Sequence, residues 1–369
     1  MRLPLSRKAA TTYGGKVSSS PVDWDLAVRT AKRLAPAGPQ VSWAEASDAV
    51  TELRQLAISA EQHVRTVTGL IPPGDALEAT VVDRAGWAAA NVDGFQVVLA
   101  PMVQKMTAKL QAKRTSPLTL AAGAKVTGVQ LGTMLAWLSS KVLGQYEVFL
   151  PEQGTGRLVL VAPNIVETER RLGVNPTDFR RWVALHEVTH RTQFTAVPWM
   201  HAHVRSEVAA LLEATSLDDP TELISRVRNA VSQLPRGGSI VELLQTPEQK
   251  VILDRVTAFM SLLEGHAEHV MDGVGPAVVP SVMEIRAKFD QRRKEGTGRL
   301  DRILRRLLGL DLKALQYAEG KVFVDTAVRE LGMAGFNQVW DSPATLPTRQ
   351  EIREPLTWVR RISGTAAIA

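Results

Sequence analysis

Apolar residues recur every three to four positions over most of the chain, which predicts a mainly α-helical protein. The spacing predicts helices over Trp24–Leu34 and Trp43–Val67, with a stop at Ile71-Pro72-Pro73-Gly74. Two more are predicted around Arg84–Leu99 and Met102–Lys113, where alanine is frequent and β-branched residues are few. Leu118–Leu143 is almost wholly apolar or small. Its Gly128-x-x-x-Gly132 pair, with Ala124 one turn earlier, would suit a membrane-spanning dimer helix. Lys125 and Gln130 interrupt the run before it reaches about 20 residues, so a buried core helix is expected and no membrane span. Tyr146–Leu150 and Arg157–Ala162 are rich in strand formers and flank the turn Gln153-Gly154-Thr155-Gly156, which predicts a β-hairpin. Asn164 is expected to cap a short helix ending at Leu172.

Asn175-Pro176 opens the next helix, with Asn as cap and Pro in the first turn, and it runs to about Phe194. Pro198 starts another, to about Ala214; a third spans Pro220–Leu234 and is stopped by Pro235-Arg236-Gly237-Gly238. Thr246 and Gln249 form a capping box, with Pro247 at the first position, for a long helix to about Asp272, ended by Gly273–Pro280. Helices then alternate towards a proline-rich tail at Asp341–Pro355, and no internal repeat is present.

Composition narrows the class. The 369 residues are 45% apolar and 22% charged, an ordinary globular balance with ample material for a core. Residues 1–20 are basic and Ser/Thr-rich without the apolar centre of a signal peptide, and read as a mobile leader on a cytoplasmic protein. The expected organisation is this leader, an N-terminal helical region at 21–145 and a metal-binding region at 146–369, the last two able to form one compact unit. Aromatics at 5% argue against a stacking-rich nucleic-acid binder, and no nucleic-acid partner is expected. The net charge of +6 favours acidic partners only slightly. Arg292-Arg293-Lys294 with Arg299, Arg302, Arg305 and Arg306 reads as a solvated helix face, or as an anion-binding surface. Cysteine is absent, so any metal must be held by His, Asp or Glu.

The residues His186-Glu187-Val188-Thr189-His190 spell H-E-x-x-H inside a well-capped helix. At about 100° per residue the two histidines lie roughly 40° apart on one face, so both imidazoles can reach a single Zn²⁺. Glu187 sits beside that face, placed to accept a proton from water rather than to ligate. A third ligand is needed. The richest downstream segment is Glu264-Gly265-His266-Ala267-Glu268-His269-Val270-Met271-Asp272. Glu264 follows an apolar run, where a carboxylate is costly unless paired or metal-bound, while His266, His269 and Asp272 are rival ligands. Donors for a developing oxyanion are His269 and Tyr317 first, with His201, His203 and Tyr146 also available.

These words resemble the gluzincin type of zincin, in which a Glu on a later helix, often in a Glu-Gly-x-Ala segment, is the third zinc ligand. The resemblance implies that Glu264 takes that role and that Glu268, one turn later, hydrogen-bonds a zinc-binding His. His186–Phe194, Glu264–Asp272, Leu143–Tyr146 and Trp340–Thr348 are similar to a bacterial family of zincin-like hydrolases, some labelled coenzyme F420 biosynthesis-associated. The gap between His190 and Glu264 is longer than in aminopeptidase-like gluzincins. The expectation is one Zn²⁺ held by His186, His190 and Glu264, with Glu187 as general base for hydrolysis of a peptide or other acyl substrate. The alternative is a non-catalytic scaffold in which zinc clips two helices together. The hairpin offers either an edge strand for an extended peptide or a small packing sheet.

Overall fold

The computed structural model describes residues 20–74, 78–149, 156–214, 246–295 and 310–366, with backbone alone at 290, 292–295, 310–318, 365 and 366. The leader up to residue 19, the helix at 220–234 with its stop, and the turn at 153–155 lie outside the described residues. So do the side chains of the basic run at 292–306 and of Tyr317.

Side-chain caps set where the first helices begin. Asp23 accepts from Leu26 N at 2.9 Å and starts α1 (Trp24–Leu34), and a Ser42/Glu45 capping box starts α2 (Trp43–Thr68). The sequence predicts two helices over 84–113; they are one, α3 (Arg84–Ala112), with Pro101 inside. Proline's φ is helical, and at this exposed position the lost backbone bond leaves a carbonyl that water can satisfy.

Helix α4 (Pro117–Leu138) meets only part of the expectation of a buried core helix. One stripe, Ala124, Gly128, Gly132, Leu135 and Ala136, is buried against α1. A Cβ on Gly132 would lie 2.5 Å from Ala27 O and one on Gly128 would overlap Asp23 O, so the small residues do admit a neighbouring backbone. Leu118, Val126 and Val129 on the same helix are exposed, because no element among the described residues packs on that side. No helix among the described residues is long and apolar enough to cross a membrane.

The hairpin is present with shifted limits: β2 (Gly144–Glu147) runs antiparallel to β3 (Arg157–Val161), pairing Gly144 with Leu160 and Tyr146 with Leu158. A third strand, β1 (Thr80–Val82), lies parallel to β3 on its other side, giving the order β1-β3-β2. Three residues are too few to show a strand's alternation, so β1 left no legible signal. Helix α5 (Ala162–Leu172) starts without a side-chain cap. Asn164 therefore does not cap it. Its side chain donates to Ser139 O at 2.7 Å and Val142 O at 2.6 Å and accepts from Arg84 Nε at 2.6 Å, holding the segment that leads into β2.

The core is built around α6 (Pro176–Ala196), whose start is capped by Asn175. Phe179, Val183, Leu185 and Val188 on α6 join Leu53 and Val64 of α2, Leu160 of β3, and Leu262 and Met271 of α8 (Pro247–Val274) in one cluster. A buried pair, Arg191 to Glu61 Oε2 at 2.5 Å, ties α6 to α2. Between α6 and α8 the chain forms α7 (Met200–Ala214). After α8 come α9 (Val282–Glu295) and α10 (Leu310–Phe336, kinked at Gly332). Two short 3₁₀ turns at Asn337–Trp340 and Pro343–Thr345 lead to α11 (Arg349–Arg353) and α12 (Pro355–Ala366).

Helices α8 and α10 cross in backbone contact. A Cβ on Gly265 would overlap the Gly320 carbonyl carbon, and one on Gly320 would overlap Ser261 O. Gly320→Ala should therefore cost about 1–3 kcal/mol by overpacking. Gly123→Ala, in α4 with open space around it, should instead stabilise by roughly 0.5–1 kcal/mol. Thermal melts of the two variants should shift in opposite directions.

Candidate metal centre

Helix α6 presents His186 and His190 one turn apart, and α8 brings Glu264 against them. His186 Nε2 and His190 Nε2 are 3.1 Å apart, and each lies 3.5 Å from Glu264 Oε2. The backbone crossing at Gly265 and Gly320 seats α8 against α10 one residue beyond the carboxylate. Four ligands at 2.0–2.1 Å in a tetrahedron are separated by roughly 3.3 Å, so the three observed separations fit three corners of a zinc site. Glu264 Oε2 is buried with no hydrogen-bond partner, an arrangement that a bound cation relieves.

The electrostatics agree. Burial works against charge on His190, but the Glu264 carboxylate outweighs it and pushes the imidazole up to about 9. Burial works against charge on Glu264 as well, yet His190 and His186 hold its carboxyl well below the usual range. Such a cluster attracts positive charge, either a proton or a metal ion.

The residue that orients His190 is Gln193, which sequence reasoning missed. Its Oε1 accepts from His190 Nδ1 at 3.0 Å, which leaves the His190 Nε2 lone pair facing the cluster. Gln193 Nε2 donates to Leu263 O at 3.0 Å and His266 Nδ1 at 2.9 Å, so one buried amide locks α6 to α8. The only sequence signal for it was a polar residue three positions after His190, on the helix face turned towards the core.

The rival ligands point elsewhere. His266 is fully buried against Phe336 and Trp340, and burial, with His269 and His190 nearby, pulls its imidazole down to about 3. His269 Nδ1 lies 2.7 Å from Asp325 Oδ1, and Asp272 meets Arg286 at 2.7 Å and Lys321 at 3.0 Å. Glu268, expected beside a zinc-binding His, accepts from Arg286 Nη1 at 2.9 Å while bordering the cleft.

The cleft over the three residues measures about 560 Å³ and is walled mainly by apolar side chains, among them Trp182, Val204, Phe259 and Leu263. Of the oxyanion donors considered from the sequence, His203 and Tyr146 border it, whereas His269 and His201 do not. Tyr146 packs on Phe194 and His201, and burial, eased slightly by Arg191, pushes its phenol up to about 12.

Glu187 is buried beside β2. A Cβ on Gly144 would lie 2.6 Å from Glu187 Cδ, so only glycine leaves room for that carboxylate. Val161 N donates to Leu143 O at 2.9 Å. By antiparallel alternation the N–H and C=O groups of Gly144 and Tyr146 then point away from β3, on the side where β2 has no neighbouring strand among the described residues.

A mainly helical body with two histidines from H-E-x-x-H and a later glutamate around one point defines a zincin-type metal site. The chain belongs to the zincin-like metallopeptidase family, whose model matches residues 22–359. It is similar to a solved protein from Chloroflexus aurantiacus, provisionally described as a hydrolase with a novel fold. That protein is 31% identical, with a TM-score of 0.67 over 93% of this chain and 99% of the other. No curated protein matches the chain. The family implies zinc and supports a zinc hydrolase in general.

His190→Ala and Glu264→Gln should abolish zinc retention in metal analysis of the purified protein. Gln193→Leu should keep the fold but weaken zinc binding roughly 10–100-fold in chelator competition.

Proposed function

We propose that this protein is a zinc-dependent peptidase or amidase with Glu187 as its general base. The observation that carries the reading is the convergence of His186, His190 and Glu264 within 3.5 Å, with the Glu187 carboxylate lining the same cleft beside Gly144 of β2. In this reading His186, His190 and Glu264 hold one zinc ion. Bound zinc supplies Lewis-acid polarisation of a carbonyl and makes water a nucleophile near neutral pH. Glu187 takes a proton from the attacking water and returns it to the departing amine. The outward N–H and C=O groups of Gly144 pair with an extended substrate backbone, which aligns the scissile bond along α6. The apolar walls exclude water and favour apolar substrate groups.

The scaffold alternative needs a closed fourth protein ligand. The placement of His266, His269 and Asp272 away from the cluster, and the open cleft above it, support the catalytic reading.

Glu187→Gln tests the assignment. It should retain zinc in full while lowering turnover of a peptide or amide library by 10²–10⁴-fold, in line with loss of general-base catalysis. Unchanged turnover in this variant would remove Glu187 from the mechanism.

A further inference from the structure

The α3–α4 hairpin carries a surface that the metal site does not use. Residues 94–146 contain six Lys and Arg and no Asp or Glu, so this one stretch accounts for the chain's entire net charge of +6. Lys105, Lys109 and Lys113 recur at i, i+4 and i+8 along one side of α3, and Arg114 follows at the tip. Helix α4 begins beyond the tip. Its inner stripe packs on α1, but α1 starts only at the level of Ala124, where Asp23 N meets Ala124 O at 3.0 Å. The first two turns of α4 therefore reach past α1.

The outer side of α4 is apolar. Leu118, Ala122, Val126, Val129 and Thr133 fall within about an 80° arc at 100° per residue. Leu118 is 84% exposed and Val126 57%. On α3, no residue beyond Val92 is buried.

We propose that this hairpin is a docking surface for an anionic lipid bilayer. A helix face of Leu and Val gains by entering the acyl boundary, and lysines elsewhere on the hairpin can stay at headgroup level against lipid phosphates. Absence of any carboxylate from residue 94 to residue 146 removes the repulsion that an anionic surface would otherwise meet. An acidic protein would also answer the charge, but the exposed Leu118, Val126 and Val129 on one side of α4 suit the acyl boundary of a bilayer as well as its charge. The helix thus lies on a membrane rather than across it, since Lys125 and Gln130 interrupt its apolar run.

The full chain should co-float with vesicles of phosphatidylcholine and phosphatidylglycerol at 3:1, and not with pure phosphatidylcholine. Binding should weaken between 50 and 300 mM salt. Lys105→Gln with Lys113→Gln should lower partitioning on the order of 30-fold, at about fivefold per cation. Leu118→Ser with Val126→Ser should weaken it as well, with an unchanged thermal melt because both sites are exposed. The proposal fails if wild type does not float with the anionic vesicles at low salt, or if neither variant pair changes flotation. It also fails if sedimentation velocity shows a wild-type dimer that the Leu118/Val126 variant dissolves, since the face would then be a protein interface.

Discussion

Two imidazole nitrogens and a carboxylate oxygen share a volume a few ångströms across, largely shielded from water. Burying such groups together is costly unless positive charge lies between them. That constraint organises the rest of the molecule. It explains why a fully buried glutamine, Gln193, is spent on orienting one ring, and why Glu264 Oε2 lacks a hydrogen-bond partner. It also explains why α8 is held against α10 by glycines that let two backbones touch beside the carboxylate. A bulkier residue at either crossing would push α8 away from its neighbour, and Glu264 with it.

Helix α6 serves two purposes at once. One side carries His186, Glu187 and His190 to the cleft; the other is part of the main hydrophobic cluster and is pinned to α2 by Arg191 and Glu61. The catalytic reading gains from that rigidity, since ligand and base positions inherit the precision of the core. The strand edge is fixed less directly. Asn164 and Arg84 hold the segment before β2, and through it Gly144 meets Glu187.

Much of this was legible along the chain because it depends on local rules. Apolar spacing placed α2, and caps and prolines placed α6 and α8, each to within a residue or two. The H-E-x-x-H spacing put two histidines on one face because helix geometry is the same everywhere. Asn164 misled for the same reason: an Asn after a strand is a common cap, and only the distant carbonyls of Ser139 and Val142 gave it other partners. The α4 stripe was half legible. Glycine spacing announced a close neighbour, but not that the opposite side would stay bare.

The sequence alone therefore determined the helical framework, the two-histidine face, the adjacent carboxylate and the need for a nitrogen- or oxygen-ligated metal, since each follows from residue type and spacing within one element. Tertiary structure decided which of Glu264, His266, His269 and Asp272 meets that face, that Gln193 orients His190, and that Gly144 makes room for Glu187. Gln193 is only three positions from His190, but its amide is fixed by Leu263 O from 70 positions away, and the other outcomes likewise join residues roughly 40 to 80 positions apart. They depend on how helices cross and which backbones can touch, which periodicity within a single helix does not encode.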